Sequence, residues 1–220
     1  RWLDEGNISR ILMIKGVLFD YDGTLAKTMY HHYFAWKQTL KHYEVNFSKE
    51  QYYNLEGFSL HLLPSLITKK KISKNIVEEL VGIKKKKFKE SIKKINYYPN
   101  AIKILEYLKL NKIKIALVSS SHLDQIISSS KENFIGIFDV IITGEDTKKN
   151  KPNPDPYLLG LKKLKLKSKN CLVIENAPIG ITSAKKAGLK TIAITNTLNK
   201  RYLTNADIII DNLIELKKYL

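Results

Sequence analysis

Val17-Leu18-Phe19-Asp20-Tyr21-Asp22-Gly23-Thr24-Leu25 is the stretch on which the fold turns. A short apolar strand delivers two carboxylates and then breaks at a glycine. Alternation along an extended backbone sends Asp20 and Asp22 to one side and Tyr21 to the other. Two such carboxylates repel unless a cation neutralises them, so the pair points to a hard divalent ion such as Mg²⁺. Gly23 and Thr24 are expected to leave main-chain N–H groups close to the acids. Acids, cation and amide donors together suit a phosphate ester.

Downstream of this strand the pattern changes twice. From Tyr30 to about residue 94 it is helical, with Phe34, Trp36, Leu40 and Tyr43 at helical spacings and Ser48 followed by Gln51 as a capping box. Residues 73–95 set Ile76, Leu80, Ile83, Phe88, Ile92 and Ile95 among lysines, which predicts an amphipathic helix with the lysine run 84–87 on its wet side. After Pro99, helices near 100–110, 122–131, 155–165 and 178–187 alternate with apolar strands at 113–118, 138–142, 171–174, 191–194 and 208–210. Nearly all-apolar strands separated by helices predict an α/β fold, a parallel sheet covered on both faces, with an all-helical segment inserted after the first strand. The expected division is a core of residues 13–28 plus 97–220, an insert of residues 29–96, and residues 1–12 as an extension or remnant ahead of Met13.

In an open parallel sheet, ligands bind beyond the C-terminal ends of the strands. The polar residues expected there are Asp20 and Asp22 after the first strand, Ser119-Ser120-Ser121 after the second, Lys151 in the loop after the third, and Glu175-Asn176 after the fourth. Each is weak evidence alone, and together they predict one site assembled from four loops.

These motifs, in this order, resemble those of haloacid dehalogenase superfamily hydrolases: Asp20-Tyr21-Asp22-Gly23-Thr24-Leu25, Ser119, Lys151-Pro152-Asn153-Pro154-Asp155-Pro156-Tyr157 and Glu175-Asn176-Ala177-Pro178-Ile179-Gly180. The insert, with His32-Tyr33-Phe34-Ala35-Trp36 and Leu55-Glu56-Gly57-Phe58-Ser59, resembles the small helical cap of the β-phosphoglucomutase-like branch. The resemblance implies a Rossmann-like three-layer core and an aspartyl-phosphate mechanism. In it Asp20 is the nucleophile and Asp22 the general acid/base, a role that calls for a raised pKa. It further implies that Ser119 and Lys151 bind the phosphoryl group and that Mg²⁺ is held by Asp20, Asp22, Glu175 and Asn176. Gly23, Thr24, Ser120, His32, Gly57, Ser59 and His61 are its substrate-contact candidates. Many relatives carry two acids in the fourth motif, whereas this chain has Glu175-Asn176, which shifts the expected metal affinity onto Glu175. The cap-loop arginine that grips a distal phosphate in β-phosphoglucomutase is absent, since Leu60-His61 follow Gly57-Phe58-Ser59. The expectation is therefore a Mg²⁺-dependent phosphatase of a small phosphorylated metabolite, possible substrates including a sugar phosphate. The alternatives are a phosphosugar mutase or a non-catalytic binding protein of the same fold.

Composition bounds the remaining classes. The 220 residues carry a net charge of +17, but among the 38 basic residues only Arg1, Arg10 and Arg201 are arginine. Base readout and bidentate phosphate recognition favour arginine, so lysine-coated helices are expected rather than a nucleic-acid surface. No apolar run approaches the roughly 20 residues needed to span a bilayer. The lone Cys171 lies in an apolar run, with no partner for a disulfide. A cytoplasmic enzyme whose partner is a small phosphorylated molecule, not a membrane, is the expectation.

Overall fold

The computed structural model describes residues 13–92, 96–131 and 133–220. Six strands form one parallel sheet: β1 (Gly16–Phe19), β2 (Lys114–Val118), β3 (Val140–Ile142), β4 (Cys171–Glu175), β5 (Lys190–Ile194) and β6 (Ile208–Ile210), in the order β3-β2-β1-β4-β5-β6. The strands are almost wholly apolar because both faces are covered. One layer buries Val17, Phe19, Ile104, Leu105 and Leu108, and the other buries Leu18, Val118, Val173, Tyr157 and Ala184. The alternation along β1 thus feeds both layers, as the pleat requires.

Between β1 and β2 run α1 (Met29–Thr39), α2 (Lys49–Tyr53), α3 (Leu63–Thr68), α4 (Lys74–Ser91) and α5 (Ala101–Leu110). The first four enclose their own apolar cluster, including Met29, Trp36, Leu40, Tyr52, Leu63 and Leu80. The capping box at α2 is present: Gln51 N–H donates to Ser48 Oγ and Ser48 N–H to Gln51 Oε1. Helix α4 is amphipathic, but its buried face is set differently from the sequence expectation. Val77, Leu80, Val81, Lys84 and Phe88 point inward, whereas Ile76 and Ile83 are exposed. Contact with α1 selects the 77-80-81-84-88 stripe, which carries a lysine into the interior. Ile95 lies outside the described residues, as do residues 1–12.

The remaining helices, α6 (Leu123–Ser128), α7 (Asp155–Leu164) and α8 (Pro178–Lys186), follow β2, β3 and β4. Register fixes where their loops begin. Phe19 pairs with Leu117 on one side and Ile174 on the other, so the chain leaves β1, β2 and β4 at one level. Order reverses at β1/β4, the switch point where a crevice opens in such sheets. Among the described residues, no helix is long and apolar enough to cross a membrane.

Gly160 lets α7 lie close on the sheet: a Cβ there would stand 2.9 Å from Leu18 Cδ2 and 3.4 Å from Val118 Cγ2. Gly160→Val should overpack this contact and lower stability by about 1–3 kcal/mol. Urea unfolding should show the midpoint falling at constant slope. An unchanged midpoint would mean that the layer tolerates the added volume.

Candidate functional site

The site is built where β1, β2 and β4 end. Asp20 N–H donates to Ile174 O (3.0 Å), which fixes the first acid immediately beyond the sheet. Lys151, from the loop after β3, reaches back beneath it. Its ammonium donates to Asp20 Oδ1 (2.8 Å), Glu175 Oε1 (2.7 Å) and Val118 O (3.0 Å), and its side chain is 1% exposed. Tyr157, on the first turns of α7, donates to the same Glu175 Oε1 at 2.8 Å. Glu175 Oε2 faces the N–H groups of Asn176 (3.0 Å) and Ala177 (3.4 Å). Burial would lower the Lys151 pKa, but the charges of Asp20 and Glu175 outweigh it and hold the ammonium protonated. Gly180 makes this packing feasible, since a Cβ there would lie 1.8 Å from Glu175 Oε1.

Asp20 and Asp22 occupy different environments. For Asp20 the largest influence is burial, which raises its carboxyl to about 7 against the opposing charge of Lys151, with Glu175 and Asp22 adding to the rise. Asp22 turns toward the helical insert. Its Oδ1 accepts from Thr28 Oγ1 (2.5 Å) and lies 2.9 Å from His32 Nε2, and its Oδ2 accepts from Ser121 Oγ (2.7 Å). Ser119 Oγ stands farther off, 3.5 Å from the same oxygen. Burial would raise the Asp22 pKa. The His32 ring, by charge and hydrogen bond, and the two hydroxyls outweigh it and hold the carboxyl well below the usual range. This corrects the sequence expectation of a raised Asp22. Proximity to Asp20 is a minor influence because the side chain is wrapped by donors from the insert and from the loop after β2.

Behind His32 stands Lys84, fully buried, with its ammonium 2.8 Å from His32 Nδ1 and above the Phe88 ring. It was expected on the wet face of α4. Burial and the Lys84 charge push His32 down to about 4, and burial pushes Lys84 down to about 8. With Lys84 donating to Nδ1, the neutral imidazole carries its proton on Nε2 and donates it to Asp22.

Other expected residues fall as follows. Gly23 and Thr24 do not leave free amides: Gly23 N–H donates to Ala26 O (2.9 Å) and Thr24 N–H to Tyr21 O (3.3 Å), because the turn closes on itself. Gly23 is required at φ +86°, and a Cβ would strike the Asn176 amide at 2.2 Å. Among the described residues, the Asp22 and Ser120 N–H groups donate to no protein acceptor. Ser120 Oγ donates to Gly57 O at 2.7 Å, joining the core to the insert loop. Ser59 is half-buried outside the small cavity over Asp22. His61 is exposed on the rim, 3.2 Å from Glu78, and does not line that cavity. Thr28 and Lys84 were missed, because a threonine and one lysine of a run carry no separate signal. Ser121 was expected at the site only as part of its serine triplet, without its bond to Asp22.

The donor set fits a hard cation. One terminal atom of the Asn176 amide lies 3.0 Å from Thr24 Oγ1 and 3.3 Å from both Asp20 Oδ2 and the Asp22 carbonyl oxygen. With its nitrogen there, the amide satisfies those oxygens itself; with its oxygen there, three oxygens converge, as Mg²⁺ requires. Among the described residues, no three His, Cys, Asp or Glu side chains cluster as a metal site, so a cation held here would need a main-chain carbonyl and an amide as well. Glu175 was expected to carry the affinity, but its oxygens are committed to Lys151, Tyr157 and two N–H groups. Asn176→Asp replaces a self-satisfying amide with an acceptor facing acceptors. In EDTA it should lower stability by about 1–3 kcal/mol, and Mg²⁺ should raise its Tm more than that of the wild type. Equal Tm values in EDTA would refute this account of the amide.

Comparison with known proteins agrees with this geometry. The family profile described as haloacid dehalogenase-like hydrolase matches residues 17–194. A phosphorylated carbohydrates phosphatase of Thermotoga maritima is 27% identical, over 84% of this chain and 88% of its own length. Hexitol phosphatase A of Escherichia coli is 28% identical, over 90% and 91%. A β-phosphoglucomutase structure from Clostridium difficile superposes with a TM-score of 0.82 at 26% identity, covering 94% of this chain and 95% of that one. The chain is an enzyme of the haloacid dehalogenase-like hydrolase family.

Proposed function

We propose that the protein is a Mg²⁺-dependent phosphatase of a small phosphorylated metabolite, a sugar phosphate or a close chemical relative, acting through a phosphoaspartate on Asp20. The observation that carries this reading is the division between the two acids. Asp20 has one oxygen on Lys151 and the other beside only the Asn176 amide, with no hydroxyl or imidazole on either, whereas Asp22 is held by Thr28, Ser121 and His32. Relatives named for phosphorylated carbohydrates and hexitols support the substrate class.

In the first step an Asp20 oxygen forms a bond to phosphorus as the bond from phosphorus to the leaving oxygen breaks, and Asp22 gives that oxygen a proton. In the second step water attacks phosphorus and yields its proton to Asp22, which frees phosphate and the Asp20 carboxylate. Asp22 is ionised in the ligand-free cleft; a monoester entering as its monoanion carries one phosphoryl proton, which passes to Asp22 and leaves the ester a dianion. A phosphate dianion placed beside it raises its proton affinity by like-charge repulsion. The Ser119 hydroxyl and the N–H groups of Asp22 and Ser120 are the donors for the transferring oxygens, with Lys151 opposite. Asp20, the Asp22 carbonyl and Asn176 would hold Mg²⁺, which when bound would supply positive charge for the phosphoryl group. The division into a core of residues 13–28 plus 97–220 and a cap of residues 29–96 belongs to this proposal, the cap excluding water.

A mutase would use the same phosphoaspartate, and a Bacillus subtilis β-phosphoglucomutase is 29% identical over 82% of this chain and 83% of its own length. Hydrolysis is favoured because Leu60, at the position of the missing arginine, is packed into the apolar cluster of the insert. Released phosphate should exceed isomerised ester.

Asp20→Asn should abolish phosphate release in a Mg²⁺-supplemented metabolite screen while the circular dichroism spectrum stays that of the wild type. Substantial turnover would overturn the nucleophile assignment. The pH profile has its own signature. Between about 4 and 8, His32 is neutral and Lys84 charged, so the pair carries one positive charge behind Asp22. Above pH 8 the Lys84 proton is lost, and kcat should fall. Lys84→Met should lower kcat about tenfold and remove the limb near pH 8. Persistence of that limb in the variant would assign it to another group.

A further inference from the structure

We propose that Glu56 is a specificity-determining residue that receives a hydroxyl group of an otherwise uncharged leaving group and excludes esters bearing a second phosphate. The inference rests on the phosphatase reading above. Glu56 belongs to the loop between α2 and α3, where its N–H donates to Tyr53 O (3.2 Å). The next residue, Gly57, accepts the Ser120 hydroxyl, so the loop is pinned to the core immediately beside Glu56. Between loop and core lies a cavity of about 20 Å³, lined among others by His32, Glu56, Phe58, Ser120 and Ser121. That is room for about one water, so the structure has the insert closed over the acids.

The walls of this cavity define a direction. His32 and Ser121 both touch Asp22, the group assigned to the leaving oxygen. A leaving group attached at that oxygen and extending away from Asp20 runs toward the insert loop, where Glu56 is the acidic side chain. Among the described residues its carboxyl takes part in no hydrogen bond or ion pair, so it has capacity left for a ligand. Burial raises it well above the usual carboxylate range, and the charges of Asp22 and Asp20 add to that, while those of Lys84 and Lys151 oppose it. A neutral carboxyl presents one donor and one acceptor, the complement of an alcohol. A second phosphate would instead face the Asp22 carboxylate with no cation supplied by Glu56, and charge left unpaired in this way is an element of the kind that sets specificity.

The position was visible in the sequence only as part of Leu55-Glu56-Gly57-Phe58-Ser59. Its meaning comes from the fold, which points the loop back at the β1 acids across more than thirty intervening residues.

The test is steady-state phosphate release by the full chain with Mg²⁺, on glucose 6-phosphate, fructose 1,6-bisphosphate, glucosamine 6-phosphate and p-nitrophenyl phosphate. In the wild type, kcat/KM for glucose 6-phosphate should exceed that for the bisphosphate at least about tenfold. Glu56→Gln, which keeps a donor and an acceptor, should hold this ratio within about threefold. Glu56→Lys should move it toward the bisphosphate by about tenfold or more. Should Glu56→Lys fail to fold, Glu56→Ala read on the same ratio should lose most of the discrimination. A ratio unmoved by Lys or Ala overturns the inference, as does a wild-type preference for the bisphosphate or the amino sugar. If p-nitrophenyl phosphate is cleaved and the ratio does not move, Glu56 alone is refuted. If no ester is cleaved, the phosphatase reading falls and this inference with it.

Discussion

One buried ammonium organises the site. Lys151 lies between Asp20 and Glu175 with almost no exposure, and its third hydrogen bond goes to a main-chain carbonyl at the end of β2. Two carboxylates at that depth would be costly without it, because desolvation penalises each charge and their mutual repulsion adds to the penalty. The lysine thus ties the ends of β1, β2 and β4 to the loop after β3 through charge as well as packing. The sheet order gives it the reach: β1 is flanked by β2 and β4, so three of these four ends are neighbours before any side chain is placed.

From that constraint the two aspartates separate. Asp20 shares its neutralising cation with Glu175, and Asp22 points the other way, toward donors that come largely from outside the sheet. The backbone alternation that puts both carboxylates on one side of β1 ends at Asp22, where the Gly23 turn begins, and the side chain is captured by Thr28 and His32. Two residues apart in sequence, the acids differ in opposite directions from an ordinary carboxylate. The order is the reverse of what a nucleophile and a general acid need, so on the proposed mechanism the charge and proton of the bound ester must invert it.

How much of this was legible in the sequence follows from what each residue type signals. Apolar strands ending in Asp20, Ser119 and Glu175 announce themselves, because a parallel sheet buried on both faces leaves polar residues only at its edges. Lys151 stood out through its Lys-Pro-Asn-Pro surroundings. Lys84 did not. In a run of four lysines one-dimensional pattern assigns every member to solvent, and only the crossing of α1 over α4 shows which of them faces inward. Ile83, read as apolar and therefore buried, lost its place to the lysine beside it. Glu175 was expected to carry the metal affinity, and only the packing of Tyr157 and Lys151 on it reveals that its oxygens are already engaged.

The buried Lys84 has a consequence for how the insert and the chemistry are connected. A lysine inside an apolar cluster is unfavourable by itself, as its lowered pKa registers. What compensates it is His32, and beyond His32 the carboxylate of Asp22, which belongs to the other side of the cleft. Separating the insert from the sheet would therefore strand Lys84 and His32 without their acid, and would expose Asp22 to water with fewer donors. Each part is electrostatically incomplete without the other. On the proposed mechanism, the same contact that favours closure also sets the proton affinity of Asp22, so the acid/base group is tuned only when water has been excluded from it.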